Sequence, residues 1–135
     1  VKSPKVYFKD SGLLHTLLGI HETHWTVKKK RGASFEGFVL EEVIRHFGSQ
    51  AEYYFWRTQT ATELDLLMLK DGKRYGFEVK MSDAPLITSS MRIALDDLNL
   101  EHLYIVNTLD VFYQKEERIS VIGIDNLKNL STYLV

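Results

Sequence analysis

Four charged residues fall at a spacing that suits chemistry on a phosphate. Glu63 and Asp65 precede the dipeptide Asp71-Gly72, and Glu78 and Lys80 follow it. Asp-Gly favours a two-residue type I′ turn, so Lys70 should pair with Lys73, Asp65 with Glu78, and Glu63 with Lys80. Because strand side chains alternate, all four charges are expected on one face, at the end of the ribbon away from the turn. Leu64, Leu66 and Met68 would then meet Val79, Phe77 and Tyr75 on the other face. Directly opposed residues stand about 5 Å apart at Cβ, where like charges repel. A divalent cation between Asp65 and Glu78 removes that repulsion, since Mg²⁺ takes carboxylate, water and phosphate oxygens in octahedral geometry. Lys80 beside it could orient or deprotonate an attacking water or stabilise charge on a phosphate, while the cation acidifies the water bound to it. The same residues also allow a plainer arrangement: a Glu63–Lys80 cross-strand ion pair, with Asp65 and Glu78 splayed into solvent.

These residues need a scaffold, and the hydrophobic pattern supplies one. Phe35, Phe38, Val39, Val43, Ile44 and Phe47 recur at helical spacing up to Gly48, which predicts an amphipathic helix over 33–47. Strands are predicted over 53–57, 63–70 and 73–80. A helix over 87–98 follows the breaker Ser82-Asp83-Ala84-Pro85, then come strands over 103–106 and 119–124 and a last helix near Asn126, capped by Asp125. Upstream, Asp10 and Ser11 should cap a short helix with Leu13, Leu14, Leu17 and Leu18 that ends at Gly19. A helix between the third and fourth strands permits a parallel crossover, so the expected fold is α/β, a mixed β-sheet flanked by helices.

At 135 residues the chain is expected to form a single domain over 1–135. Lys and Arg number 17 against 18 Asp and Glu, a net charge of −1 that excludes a globally basic nucleic-acid coat and leaves only local patches for phosphate. With 44% apolar residues and no cysteine, it is read as a globular domain without disulfides, thiolate nucleophiles or cysteine zinc sites, compatible with a cytoplasmic setting. No apolar run approaches the roughly 20 residues of a membrane-spanning helix, so no membrane partner is expected. The sequence opens on Val1, and we expect it to be a piece of a longer chain.

The pattern Glu63-Leu64-Asp65-Leu66-Leu67, a hairpin, then Phe77-Glu78-Val79-Lys80 resembles motifs II and III of the PD-(D/E)XK nuclease superfamily. Gly32-Ala33-Ser34-Phe35-Glu36 resembles its motif I, a glycine followed by a helix-borne glutamate. The resemblance covers about residues 32–107 and implies a restriction-endonuclease-like sheet, Mg²⁺ or Mn²⁺ as cofactor, and metal-dependent endonuclease or exonuclease activity. It also implies roles. Asp65, Glu78 and Glu36 would be metal ligands and Lys80 the catalytic lysine, with Glu63 in the motif but without a firm role. Leu64 stands where the eponymous proline would be. For Glu36 a second possibility stays open, that of a surface residue favoured by the helix N-terminus.

A wider resemblance, through Lys5-Val6-Tyr7-Phe8-Lys9-Asp10-Ser11-Gly12-Leu13, Phe35-Glu36-Gly37-Phe38-Val39, Phe55-Trp56-Arg57 and Glu63-Leu64-Asp65, is to the C-terminal domain that follows the P-loop module in many prokaryotic AAA-type ATPases. It implies an N-terminal ATPase module in the same longer chain. This piece carries no G-x-x-x-x-G-K-[ST] loop, so no nucleotide hydrolysis is assigned to it. Nucleic acid, DNA foremost, is the expected partner, and an inactive nuclease fold kept as a binding or regulatory module is the alternative. Lys28, Lys29, Lys30 and Arg31 could contact phosphate or form a solvated loop. Arg57 and Gln59 could line the cleft. Tyr53, Tyr54, Phe55 and Trp56 could stack on bases, although a buried strand uses the same residue types. His21 and His24 have a metal-compatible spacing without further ligands nearby.

Overall fold

The computed structural model describes residues 31–58 and 62–134. The expected helix over 10–19, His21, His24, the basic residues Lys28, Lys29 and Lys30, and Gln59 lie outside the described residues. Helix α1 (Arg31–Phe47) begins two residues earlier than its apolar stripe predicts. It ends at Gly48, whose φ of +52° is the left-handed conformation that closes a helix with little steric cost to glycine. Arg45 and His46 in its last turn complement the negative end of the helix dipole.

A six-stranded sheet follows, made of β1 (Glu52–Arg57), β2 (Glu63–Lys70), β3 (Lys73–Val79), β4 (His102–Asn107), β5 (Phe112–Glu116) and β6 (Ile119–Gly123), in the spatial order β1-β2-β3-β4-β6-β5. The first three strands are antiparallel, β3 is parallel to β4 and β4 to β6, and β5 runs antiparallel at the far edge. Asp71 and Gly72 have φ of 54° and 76°, the paired positive values of a type I′ turn, and Lys70 pairs with Lys73. The connection from β3 to its parallel neighbour β4 carries helix α2 (Ser89–Asp97). The turn that breaks the chain at Ser82 to Pro85 does not itself begin that helix. Thr88 does, with Oγ1 accepting from the Met91 N–H at 3.2 Å.

Both faces of the sheet are covered. On one lie α1 and the C-terminal turns, a 3₁₀ stretch (Ile124–Asn129) and α3 (Leu130–Tyr133), packed on Tyr53, Leu66, Met68, Phe77, Tyr104 and Val106. On the other, α2 packs on Trp56, Leu64, Leu67, Leu103, Ile105 and Val121. The central strand β4 is buried at every residue, which explains its continuous apolar run.

Two expectations fail here for physical reasons. Strand β5 was not predicted, because an edge strand exposed at all five residues carries no apolar alternation. Asp125 does not cap a helix. Gly123 occupies that position without a side-chain bond, and Asp125 lies inside the 3₁₀ stretch. Among the described residues no helix is long and apolar enough to cross a membrane.

Candidate functional site

The β2–β3 ladder runs from Lys70 and Lys73 as far as Leu66 and Phe77, where its pairing ends. The next bonded pair in that register would join Leu64 to Val79. Instead the Val79 N–H donates to Asp65 Oδ2 at 2.8 Å, and the Asp65 N–H donates to Glu78 Oε1 at 3.3 Å. Each carboxylate is therefore held by a backbone amide of the opposite strand, where the two strands part.

The parting has a visible cause. Against β1, Tyr54 pairs with Leu67 and Trp56 with Leu64, so one residue of β1 faces two of β2, Asp65 and Leu66. Such a bulge bends the strand and re-aims a side chain. Leu64 consequently packs in the α2 layer while Leu66 and Met68 pack in the α1 layer. The single apolar face expected of Leu64, Leu66 and Met68 is thus divided between two layers.

Glu63 does not take Lys80 as its ladder partner. It pairs with Arg57 across β1–β2, with Arg57 Nε 3.8 Å from Glu63 Oε2 in an exposed ion pair. Lys80 lies just beyond β3, and its N–H donates to the Val106 carbonyl at 2.9 Å, which ties this end of the chain to β4. Glu78 is 8% exposed, so the splayed, solvent-facing alternative does not describe it. Glu36 is half-buried, one turn ahead of the buried Val39 and Leu40 on the same stripe of α1. It lies within electrostatic reach of Asp65, Glu63 and Lys80.

Low-dielectric surroundings show in the acidities. Burial first, and Asp65 second, push Glu78 up to about 9. Burial, then Asp65 and Glu63, raise Glu36 to about 7. Burial raises Asp65 to about 6, opposed by the Val79 N–H and the Lys80 ammonium. With Glu63 set against Arg57, full ionisation of Glu36, Asp65 and Glu78 beside the Lys80 ammonium leaves an excess of two negative charges, equal in magnitude and opposite in sign to the charge of Mg²⁺ or Mn²⁺. All-oxygen donors of this kind suit those ions, so the donor set fits. No three carboxylate or imidazole groups among the described residues stand in a ready metal cage, so binding would require the side chains to close in.

The other sequence candidates sort clearly. Arg31 opens α1, and the Arg57 side chain is exposed beside the cluster. Tyr53 and Trp56 are buried, with the Tyr53 hydroxyl donating to the Gly48 carbonyl at 2.8 Å, and they serve the core. Sequence reasoning missed two positioning groups. The Val79 amide is invisible at the level of side chains. Asn107, fully buried, accepts from the Leu109 N–H at 3.1 Å and donates to the Ser82 carbonyl. Its signal was an amide residue ending the apolar run Leu103 to Val106.

Fold and site together define an α/β domain with an acidic cluster and one lysine where two antiparallel strands separate. The chain belongs to the family described as "Domain of unknown function (DUF4143)", which matches residues 31–127. It is similar to the uncharacterized proteins Mb2031c of Mycobacterium bovis and Rv2008c of Mycobacterium tuberculosis. Each is 49% identical over 106 residues, covering 78% of this chain and 24% of theirs. The chain therefore spans about a quarter of the length of these curated relatives. Among solved structures it is similar to protein VC1899 from Vibrio cholerae, at 15% identity and a TM-score of 0.43, over 96% of this chain and 45% of that one.

Proposed function

We propose that this is a nuclease-fold domain of the PD-(D/E)XK type, part of a longer ATPase chain, that binds nucleic acid and hydrolyses phosphodiester bonds with Mg²⁺ or Mn²⁺. The reading is carried by one observation: Asp65 and Glu78 are fixed by reciprocal carboxylate–amide bonds at the end of the β2–β3 ladder, with Glu36 and Lys80 beside them. Asp65, Glu78 and Glu36 would hold the cation. Once bound, it would polarise a phosphate oxygen and lower the pKa of a coordinated water. Lys80 would donate a hydrogen bond to the nucleophile or to a phosphate oxygen as negative charge grows there. The exposed guanidinium of Arg57 would leave Glu63 for a phosphate, since an exposed pair at 3.8 Å holds it weakly.

A second reading has its own support. Among the described residues the acids do not stand as a ready cage. A catalytically inactive module that binds nucleic acid or protein and regulates an attached ATPase would look like this.

The test is cleavage of labelled single-stranded, duplex and branched DNA, and the RNA counterparts, by the native protein, Asp65→Ala and Lys80→Ala with each metal. Metal-dependent cleavage by the native protein alone supports the nuclease. Absence of cleavage in all three, with no Mn²⁺ bound at millimolar concentration, supports the module.

A further inference from the structure

Immediately after Lys80 the chain presents two large apolar side chains to solvent: Met81 is 50% exposed and Leu86 77%, more than any other large hydrophobic residue described. They do not sit on slack chain. The Lys80 N–H is bonded to Val106, the Ser82 carbonyl accepts from Asn107, and the Ala84 N–H donates to Ser82 Oγ at 3.2 Å. Pro85 is buried, and Ile87 packs on the α2 layer just before the Thr88 cap. Leu86 is therefore held outward between two anchored neighbours. Of the other side chains exposed in this turn, Ser82, Asp83 and Ala84, only Asp83 is charged, and it repels phosphate. The apolar side chains of Met81 and Leu86 suit the faces of bases, while the Asp83 carboxylate keeps the tip away from the sugar-phosphate backbone.

We propose that Met81 and Leu86 form a wedge that inserts between bases of a nucleic acid held at the adjacent acidic cluster. The substrate class would then be nucleic acid with an unpaired or easily unstacked position, such as a fork or branch, rather than uninterrupted duplex. This rests on the nucleic-acid reading above. Leu86 lies six residues from Lys80, at most about 20 Å along an extended chain, or about six base steps. Insertion of apolar side chains between base steps is an established way for proteins to unstack a duplex.

The test uses the full-length chain and DNA of one sequence as plain duplex, fork and three-way branch, with 2-aminopurine at the junction. Affinity is read by fluorescence anisotropy and unstacking by 2-aminopurine emission. The native protein should bind fork and branch about tenfold more tightly than duplex and brighten the probe. Met81→Ser with Leu86→Ser should lose both effects with an unchanged thermal melt, and Leu86→Phe should retain them. Equal affinity of the native protein for all three DNAs, or an unchanged preference in the double variant, overturns the wedge while leaving nucleic-acid binding intact. Loss of self-association in the double variant, with DNA binding untouched, also overturns it and assigns the segment to protein contact. If the native protein binds no DNA or RNA of any shape, the nucleic-acid reading itself has failed.

Discussion

Replacing Glu78 with glutamine should stabilise the cation-free protein. Glu78 is 8% exposed, and its pKa rises from 4.5 in the unfolded chain to about 9 in the fold. Between those values the folded state keeps a proton that the unfolded state has released, so stability is fully present below about 4.5 and falls as pH rises through the window. Each pKa unit corresponds to about 1.4 kcal/mol, so near pH 8 the span from 4.5 upward amounts to at most about 5 kcal/mol. Relaxation and water entry where the strands part reduce this to about 1–3 kcal/mol. Glutamine removes the titration while its Oε1 can still accept from the Asp65 N–H. For a chain of 135 residues that gain corresponds to a rise of roughly 3–10 °C in Tm. The assay is thermal unfolding in chelator at about pH 5 and pH 8, for native protein and Glu78→Gln. The variant should gain at the higher pH and little at the lower. A Glu78→Gln protein that is less stable than native near pH 8 without metal would refute the claim that this carboxylate is buried at a cost.

Asp65→Asn should weaken Mn²⁺ binding by at least about tenfold while leaving the fold intact, because the amide oxygen can still accept from Val79; calorimetric titration beside a circular dichroism spectrum checks both. Lys80→Met should lower any phosphodiester cleavage by about 10²-fold or more with metal affinity retained, which separates a role in the reaction from one in binding. Gly123→Ala should destabilise by about 3 kcal/mol or more in urea denaturation, since a Cβ there would stand 1.5 Å from the Leu109 carbonyl oxygen. Leu66→Ala, at the centre of the α1 layer, should cost about 2–5 kcal/mol by the same assay.

Much of this architecture was legible because local signals agreed with tertiary ones. Asp71-Gly72 specified the hairpin and its register near the turn, and the stripe from Phe35 to Phe47 specified α1 and the side it buries. The helix between β3 and β4 pointed to their parallel pairing. The acidic pair was legible as a pair, but its geometry was not. Strict alternation placed Leu64 with Leu66, whereas the bulge at Asp65 and Leu66 sends them to opposite layers. A bulge is set by how β2 meets β1, and two strands read in isolation do not contain that information. The same limit explains Glu63, whose observed partner Arg57 belongs to a third strand. Strand β5 was illegible for the opposite reason, since an exposed edge buries too little to leave a pattern.

The acids at the parted strands should share one cation. Anomalous diffraction from crystals soaked in Mn²⁺ tests this most directly. A single peak is expected, with Asp65 and Glu78 oxygens in its coordination shell and Glu36 reaching it directly or through water. A map with no peak there, or with manganese bound only at unrelated surface carboxylates, would contradict it.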